Sequence, residues 1–104
     1  MGITIKNSTG MTEIRLAQPV LDRSMAAGFR QYVADALEGS DGRVTIDCSP
    51  VEFIDSSGVG ALLHVNNLLP EERRPVILKG VAPSVLSVLE LVRVHGFFEI
   101  VAKD

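Results

Sequence analysis

Asp55-Ser56-Ser57-Gly58-Val59-Gly60 is the stretch of this sequence whose residue types could do chemistry. Two serines and two glycines stand where a helix is expected to begin, directly after the apolar pair Phe53-Ile54. A serine at a helix start can act as a cap for one of the free N–H groups. The same place suits a phosphate, because unpaired N–H groups and the positive end of the helix dipole point at it. A phosphate on such a serine would add a charge of about −1.5 to −2. With Asp55 and Glu52 beside it, the patch would become sharply negative, which changes what can dock more than whether the chain folds. Glycine in a helix costs up to about 1 kcal/mol relative to alanine, so two in one turn need a reason. One is close packing of that turn on the strand ending at Ser49. The other is close approach by the surface of a partner.

Other chemistries fit less well. Ser56 or Ser57 could be a nucleophile, with His64 or His95 as base, but the hydrolase elbow needs glycine two residues before the serine, and Ile54 stands there. His64 falls eight residues after Ser56 on the same expected helix, about 12 Å away. The chain is therefore expected not to be an enzyme. Gly58-Val59-Gly60 lacks the third glycine of a dinucleotide loop, and no cofactor is implied. One cysteine, Cys48, and two histidines exclude an internal disulfide and make a structural zinc site implausible. Cys48, at the end of an apolar strand, reads as a small core residue. Ten basic residues against 13 acidic ones, a net charge of −3, leave no chain-wide footprint for nucleic acid. No apolar run approaches the roughly 20 residues of a membrane span, and the alternating Ile3-Thr4-Ile5-Lys6 is not a secretion signal. A soluble protein of the cytoplasm is the expectation.

The elements that must position this segment fit one domain spanning residues 1–104, with 46% hydrophobic residues to build its core. Ile3 and Ile5, then Ile14 and Leu16, alternate with polar neighbours around Asn7-Ser8-Thr9-Gly10, which predicts a hairpin. Asp22 offers a helix cap; Met25, Phe29, Tyr32, Val33 and Ala36 follow at helical spacing, and Gly39 closes the segment. Arg43 to Ser49 predicts a strand, ended by Pro50. A second helix fits Ser56 to Leu69, stopped by Pro70, and Glu71-Glu72-Arg73-Arg74 reads as a solvated loop. Val76 to Leu78 predicts a buried strand. Pro83 opens a third helix with a stripe of Val85, Val88, Leu89 and Val92, and Phe97 to Val101 makes the last strand. Hairpin, then helix and strand in alternation, gives an α/β sandwich with a partly parallel sheet.

The chain resembles STAS domains of the bacterial anti-sigma-factor-antagonist type over nearly all its length. The central match is Ile46-Asp47 and then Val51-Glu52-Phe53-Ile54-Asp55-Ser56-Ser57-Gly58-Val59-Gly60. Leu21-Asp22 with Ala26, then Pro83, Val85 and Leu89-Glu90-Leu91, and finally Phe98-Glu99-Ile100 support it. The resemblance implies a STAS-like sandwich: a mixed sheet of four to five strands, an N-terminal hairpin and three to four helices. It implies a phosphorylation switch at Ser56, written by a partner serine kinase, often an anti-sigma factor of the histidine-kinase-like ATPase type, and erased by a PP2C-type phosphatase. The unphosphorylated form would bind the kinase or anti-sigma factor. Asp55 would shape the loop and the kinase contact, Ser57 would cap the helix, Gly58 and Gly60 would keep the docking surface low, and Asp22 would lie near the same face. A monomer is the family's default. Pro19-Val20 in place of Gly-Glu, and Arg93 near where a glycine is common, lie by surfaces that choose partners and leave the client open. STAS-like domains also serve as accessory subunits of lipid-transport complexes or tails of anion transporters, without such a switch.

A helical projection adds two anchors. If the second helix buries Gly58, Ala61, Leu62, Val65 and Leu69, then Val59 and Leu63 fall at its edge or outside, near Asn67. They are either interface anchors or packed under a neighbouring loop.

Overall fold

The computed structural model describes residues 3–104. β1 (Ile3–Ser8) and β2 (Met11–Leu16) form the expected antiparallel hairpin, but Asn7 and Ser8 belong to the strand and the turn is only Thr9-Gly10. Gly10 takes φ +77, a left-handed conformation that other residues adopt at a penalty, so the hairpin can reverse in two residues. β4 (Arg43–Asp47), β6 (Ile77–Val81) and β7 (Glu99–Ala102) complete one mixed sheet in the order β1-β2-β4-β6-β7, parallel after the hairpin.

The pleat sorts the side chains. Ile14, Ile46, Leu78 and Ile100 lie in one row across four strands. The first three are fully buried beneath α1 (Arg23–Leu37), α2 (Ser56–Leu68) and α3 (Pro83–Leu91). The adjacent row, Arg15, Asp47 and Lys79, lies on the other face. The strand expected to run to Ser49 stops at Asp47, whose Oδ1 accepts from both the N–H and the hydroxyl of Ser49 and turns the chain.

Within the helices the expected stripes shift. On α1, Ala26, Phe29, Val33 and Leu37 are buried, while Tyr32 is exposed; three residues after Phe29 it has rotated past the contact with the sheet. On α3, Val85 and Leu89 are buried and Leu86 and Val88 pack at the margin, but Val92 lies past the helix end and is exposed. The last expected strand begins at Glu99 and not at Phe97, because His95–Phe97 forms a turn of 3₁₀-helix; Phe98, not Phe97, enters the core. Glu71–Arg73 is also a 3₁₀ turn and not simply a solvated loop. The half-buried Arg73 guanidinium donates to Gly42 O, Ser40 O and Ser40 Oγ, docking the turn onto the segment that enters β4.

A second sheet went unread in the sequence. β3 (Val20–Leu21) and β5 (Phe53–Ile54) are two residues each and pair in parallel, apart from the main sheet. Each leads straight into a helix: β3 through Asp22 into α1, β5 through Asp55 into α2. Two helix N-termini are thus laid side by side, and α1 and α2 pack on each other.

Candidate functional site

The side-by-side starts of α1 and α2 hold the residues singled out above. Asp55 is the N-cap of α2: its Oδ1 accepts from the backbone N–H of Gly58 at 2.9 Å, and Val59 N–H donates to Asp55 O. Its other oxygen, Oδ2, accepts from the backbone N–H of Arg23, the first residue of α1, at 3.1 Å. Asp22 caps α1 in the same manner, its Oδ1 accepting from Ser24 N at 3.0 Å and from Ser24 Oγ at 2.5 Å. The Ser24 hydroxyl, aided by backbone N–H groups and against a small cost of burial, holds the Asp22 carboxyl below the usual carboxylate range. Asp22 and Asp55 do lie on one face.

Because Asp55 is the cap, the serines are released from that task. Ser57 does not cap α2, contrary to expectation; it is the second helical residue and is half-buried. Ser56, the first helical residue, is exposed, and its hydroxyl has no hydrogen-bond partner among the described residues. A free hydroxyl therefore stands at the mouth of a helix.

The two glycines have different surroundings. Gly58 is buried: a Cβ there would come within 2.1 Å of Leu21 O and 2.8 Å of Ile54 Cγ1. Close packing is its reason, but against β3 and not against the strand ending at Ser49, and it forms no part of a low outer surface. Gly60 is half-buried and would place a Cβ 3.2 Å from Nη2 of Arg30. Val59, expected at the edge or outside, is only 4% exposed and belongs to the core. The projection misplaced it because the buried arc of α2 is wider than the one assumed: Asn66, two turns on along the same side of the helix, is buried too and bonded to Phe97 O and Val76 N. Leu63 is half-buried at the core margin and Asn67 is exposed, as projected.

An exposed apolar residue close to Ser56 that the sequence reading missed is Phe53. It is 56% exposed, three residues before Ser56, while its neighbour Ile54 is buried. The signal was strand alternation over Phe53-Ile54, hidden by the shortness of β5. Ser84 Oγ at the start of α3 donates to Glu52 O, fastening this loop to the third helix. Cys48 is buried and its thiol is pushed up to about 12, by burial first and the Asp47 charge second, so it offers no nucleophile. His64 is exposed on α2, two turns from Ser56. Among the described residues no group of His, Cys, Asp and Glu could hold a metal, and no helix is long and apolar enough to cross a membrane.

The family model described as Mlab, STAS domain, matches residues 11–102. The chain belongs to the STAS domain family. Its fold is shared by an anti-sigma-factor antagonist (STAS) domain protein from Planctomyces limnophilus, with a TM-score of 0.84 and 20% identity over 98% of this chain and 91% of that one. An anti-sigma factor antagonist from Mycobacterium paratuberculosis superposes with a TM-score of 0.83 and 19% identity, over 95% and 83% of the two chains. The Bacillus cell fate determinant SpoIIAA in its phosphorylated form gives a TM-score of 0.70 and 20% identity over 97% and 92%. No curated protein matches the sequence. At such identities the likeness is one of fold, and the STAS sandwich with its N-terminal hairpin and mixed five-stranded sheet is the fold the sequence led one to expect.

Proposed function

We propose that this STAS domain is a regulatory binding protein of the anti-sigma-factor-antagonist type. Its unphosphorylated form docks on a partner through the face where α1 and α2 begin, and phosphate on Ser56 switches that docking off. The observation that carries the reading is the exposed, unengaged hydroxyl of Ser56, left free because Asp55 does the capping. A kinase could reach it without unfolding anything. The Ser56 oxygen would attack the γ-phosphorus of ATP held by the kinase, the bond to ADP would break, and the hydroxyl proton would be lost. The product carries about −1.5 to −2 charge at a rim formed by Asp55, Asp22, Leu63 and Phe53. Burying that charge against an acidic or apolar partner surface would weaken binding by about a hundredfold or more.

The partners implied are a serine kinase or anti-sigma factor of the histidine-kinase-like ATPase type and a PP2C-type phosphatase, in the cytoplasm, acting on a monomer. Gly60 and Ser57 border the docking rim; Gly58 and Val59 support it from beneath. The second reading, an accessory subunit of a lipid-transport complex without a phosphate switch, needs only the STAS fold, which the family match supports equally.

Pull-downs separate the two. Ser56→Ala should retain partners that Ser56→Asp and Ser56→Glu lose, and incubation with the captured kinase and ATP should place phosphate on Ser56 and not Ser57 by peptide mass spectrometry. Equal recovery of the same partners by all three variants, with no phosphate incorporated, would sink the switch and leave the accessory-subunit reading.

A further inference from the structure

Arg30 is unusual among the basic residues of α1. It is an exposed position, yet its guanidinium lies against α2, where Nη2 would stand 3.2 Å from a Cβ at Gly60. It makes no ion pair among the described residues. Gly60 follows Ser56 by four residues, so the two share a helix face with Cβ positions about 5–6 Å apart. Helix Cα–Cβ bonds tilt toward the N-terminus, so the Gly60 Cβ position beside which the guanidinium lies leans toward Ser56. An arginine side chain on α1 likewise leans back toward the start of its own helix, and the two helix starts lie together at Asp55. The glycine leaves room for the guanidinium: a methyl at residue 60 would make it give by a few tenths of an ångström, and a longer side chain would compete for the same shoulder of α2.

A second cation points the same way. Arg23 is the first residue of α1, where a positive charge opposes the helix dipole, and no acidic residue follows in that turn. Arg23 and Arg30 are two turns apart on one side of α1. The carboxylates nearby, Asp22 and Asp55, have oxygens engaged by backbone N–H groups and by Ser24. Glu52 is exposed on the loop beyond. One arginine, Arg30, is therefore held a single turn from a free serine hydroxyl, and a second, Arg23, begins the helix whose backbone meets Asp55 beside it.

We propose that Arg30 is the residue that pairs with a phosphate on Ser56, the glycine at residue 60 being the space that lets it do so. The inference rests on Ser56 as the phosphorylated position. Phosphorylation then changes the face twice: it adds a dianion and draws a cation off the α2 shoulder onto it. A planar guanidinium is suited to hold two phosphate oxygens at once, which lysine would not match.

The test installs phosphoserine at residue 56 by site-specific incorporation during translation, so no kinase is needed, and follows the phosphate's second ionisation by ³¹P NMR. A free phosphoserine ionises near pH ~6. Paired with Arg30, the group should titrate about half a pH unit or more lower. Arg30→Gln and Arg30→Met, the latter keeping the apolar stem on α2, should both return it to about 6 or above, where Asp22 and Asp55 push it. Unchanged titration in both variants overturns the assignment, as does a return produced by Arg23→Gln alone. Melting of the unphosphorylated variants checks that they fold. Because the phosphoserine is placed during translation, failure here is distinct from failure of Ser56 as the site that a kinase modifies, which phosphopeptide mapping reads separately.

Discussion

The carboxylate of Asp55 joins the starts of two helices: its Oδ2 accepts from the N–H of Arg23, 32 residues earlier in the chain, while its Oδ1 accepts from Gly58. One side chain thus satisfies an orphan donor on each of α1 and α2 and sets the spacing of the face between them. Asp55→Ala should lose about 1–3 kcal/mol of stability, a cap plus a second charge-assisted hydrogen bond. Asp55→Asn keeps one carbonyl acceptor for two donors and should fall between. Urea unfolding gives the loss. Amide hydrogen exchange should quicken at both Arg23 and Gly58, and quickening at Gly58 alone would show that the bridge to α1 carries no energy.

The paired glycines of α2 should respond in opposite ways. Gly58→Ala drives a methyl into the Leu21 carbonyl and the Ile54 side chain, and backbone cannot step aside as a side chain can. It should destabilise by about 3 kcal/mol or more. Gly60→Ala meets only the end of a flexible arginine and should be neutral or gain up to about 1 kcal/mol of helix propensity. Thermal melts of the two variants side by side check this, and equal losses would contradict it.

Those two positions also mark how far the sequence could be read. Its spacing told that two glycines in one turn needed explaining, and that packing or a close partner would explain them. It did not tell which, because the atom that excludes a side chain from Gly58 belongs to Leu21, in a strand of two residues that leaves no periodicity to detect. The long elements were legible since their burial follows one period: the Ile3/Ile5 and Ile14/Leu16 alternation gave the hairpin, and Phe29 and Val33 gave α1. Val59 and Arg73 were misread for the opposite reason. Each takes its surroundings from elements distant in the chain, the core cluster for Val59 and the Ser40–Gly42 loop for Arg73, which no local pattern announces. At the candidate site, the helix start at Ser56 was legible, whereas the role of capping passed from Ser57 to Asp55 only once the backbone was placed.

Asp47 should make stability depend on acid. It is buried in the row Arg15–Asp47–Lys79. Burial raises its carboxyl, but the Ser49 hydroxyl at 2.6 Å, the Ser49 N–H at 3.0 Å and the charges of Lys79 and Arg15 outweigh it, and the net direction is down. A carboxyl lowered on folding stabilises the native state above its unfolded value near ~3.9, and that contribution fades as pH falls through the folded value. Asp47→Asn should therefore be less stable than the wild type at pH ~7, by about 1–3 kcal/mol, with the gap closing as pH drops below about 4. A gap independent of pH would mean that packing, not charge, holds this corner.

Ser56 should be nearly silent in folding while decisive in binding. Its side chain is exposed and unengaged, so its removal breaks no hydrogen bond and opens no cavity. Ser56→Ala should keep the melting temperature within about 2 °C, since an exposed substitution away from caps stays within roughly 0.5 kcal/mol. Ser56→Asp places a negative charge in the first turn of α2, where the dipole favours it, and should melt at the same temperature or slightly higher. Any loss of partner by Ser56→Asp then reflects charge at the docking face and not a damaged domain. A Ser56→Asp protein that melts many degrees lower would remove that distinction, because a switch built on unfolding would have to replace one built on docking.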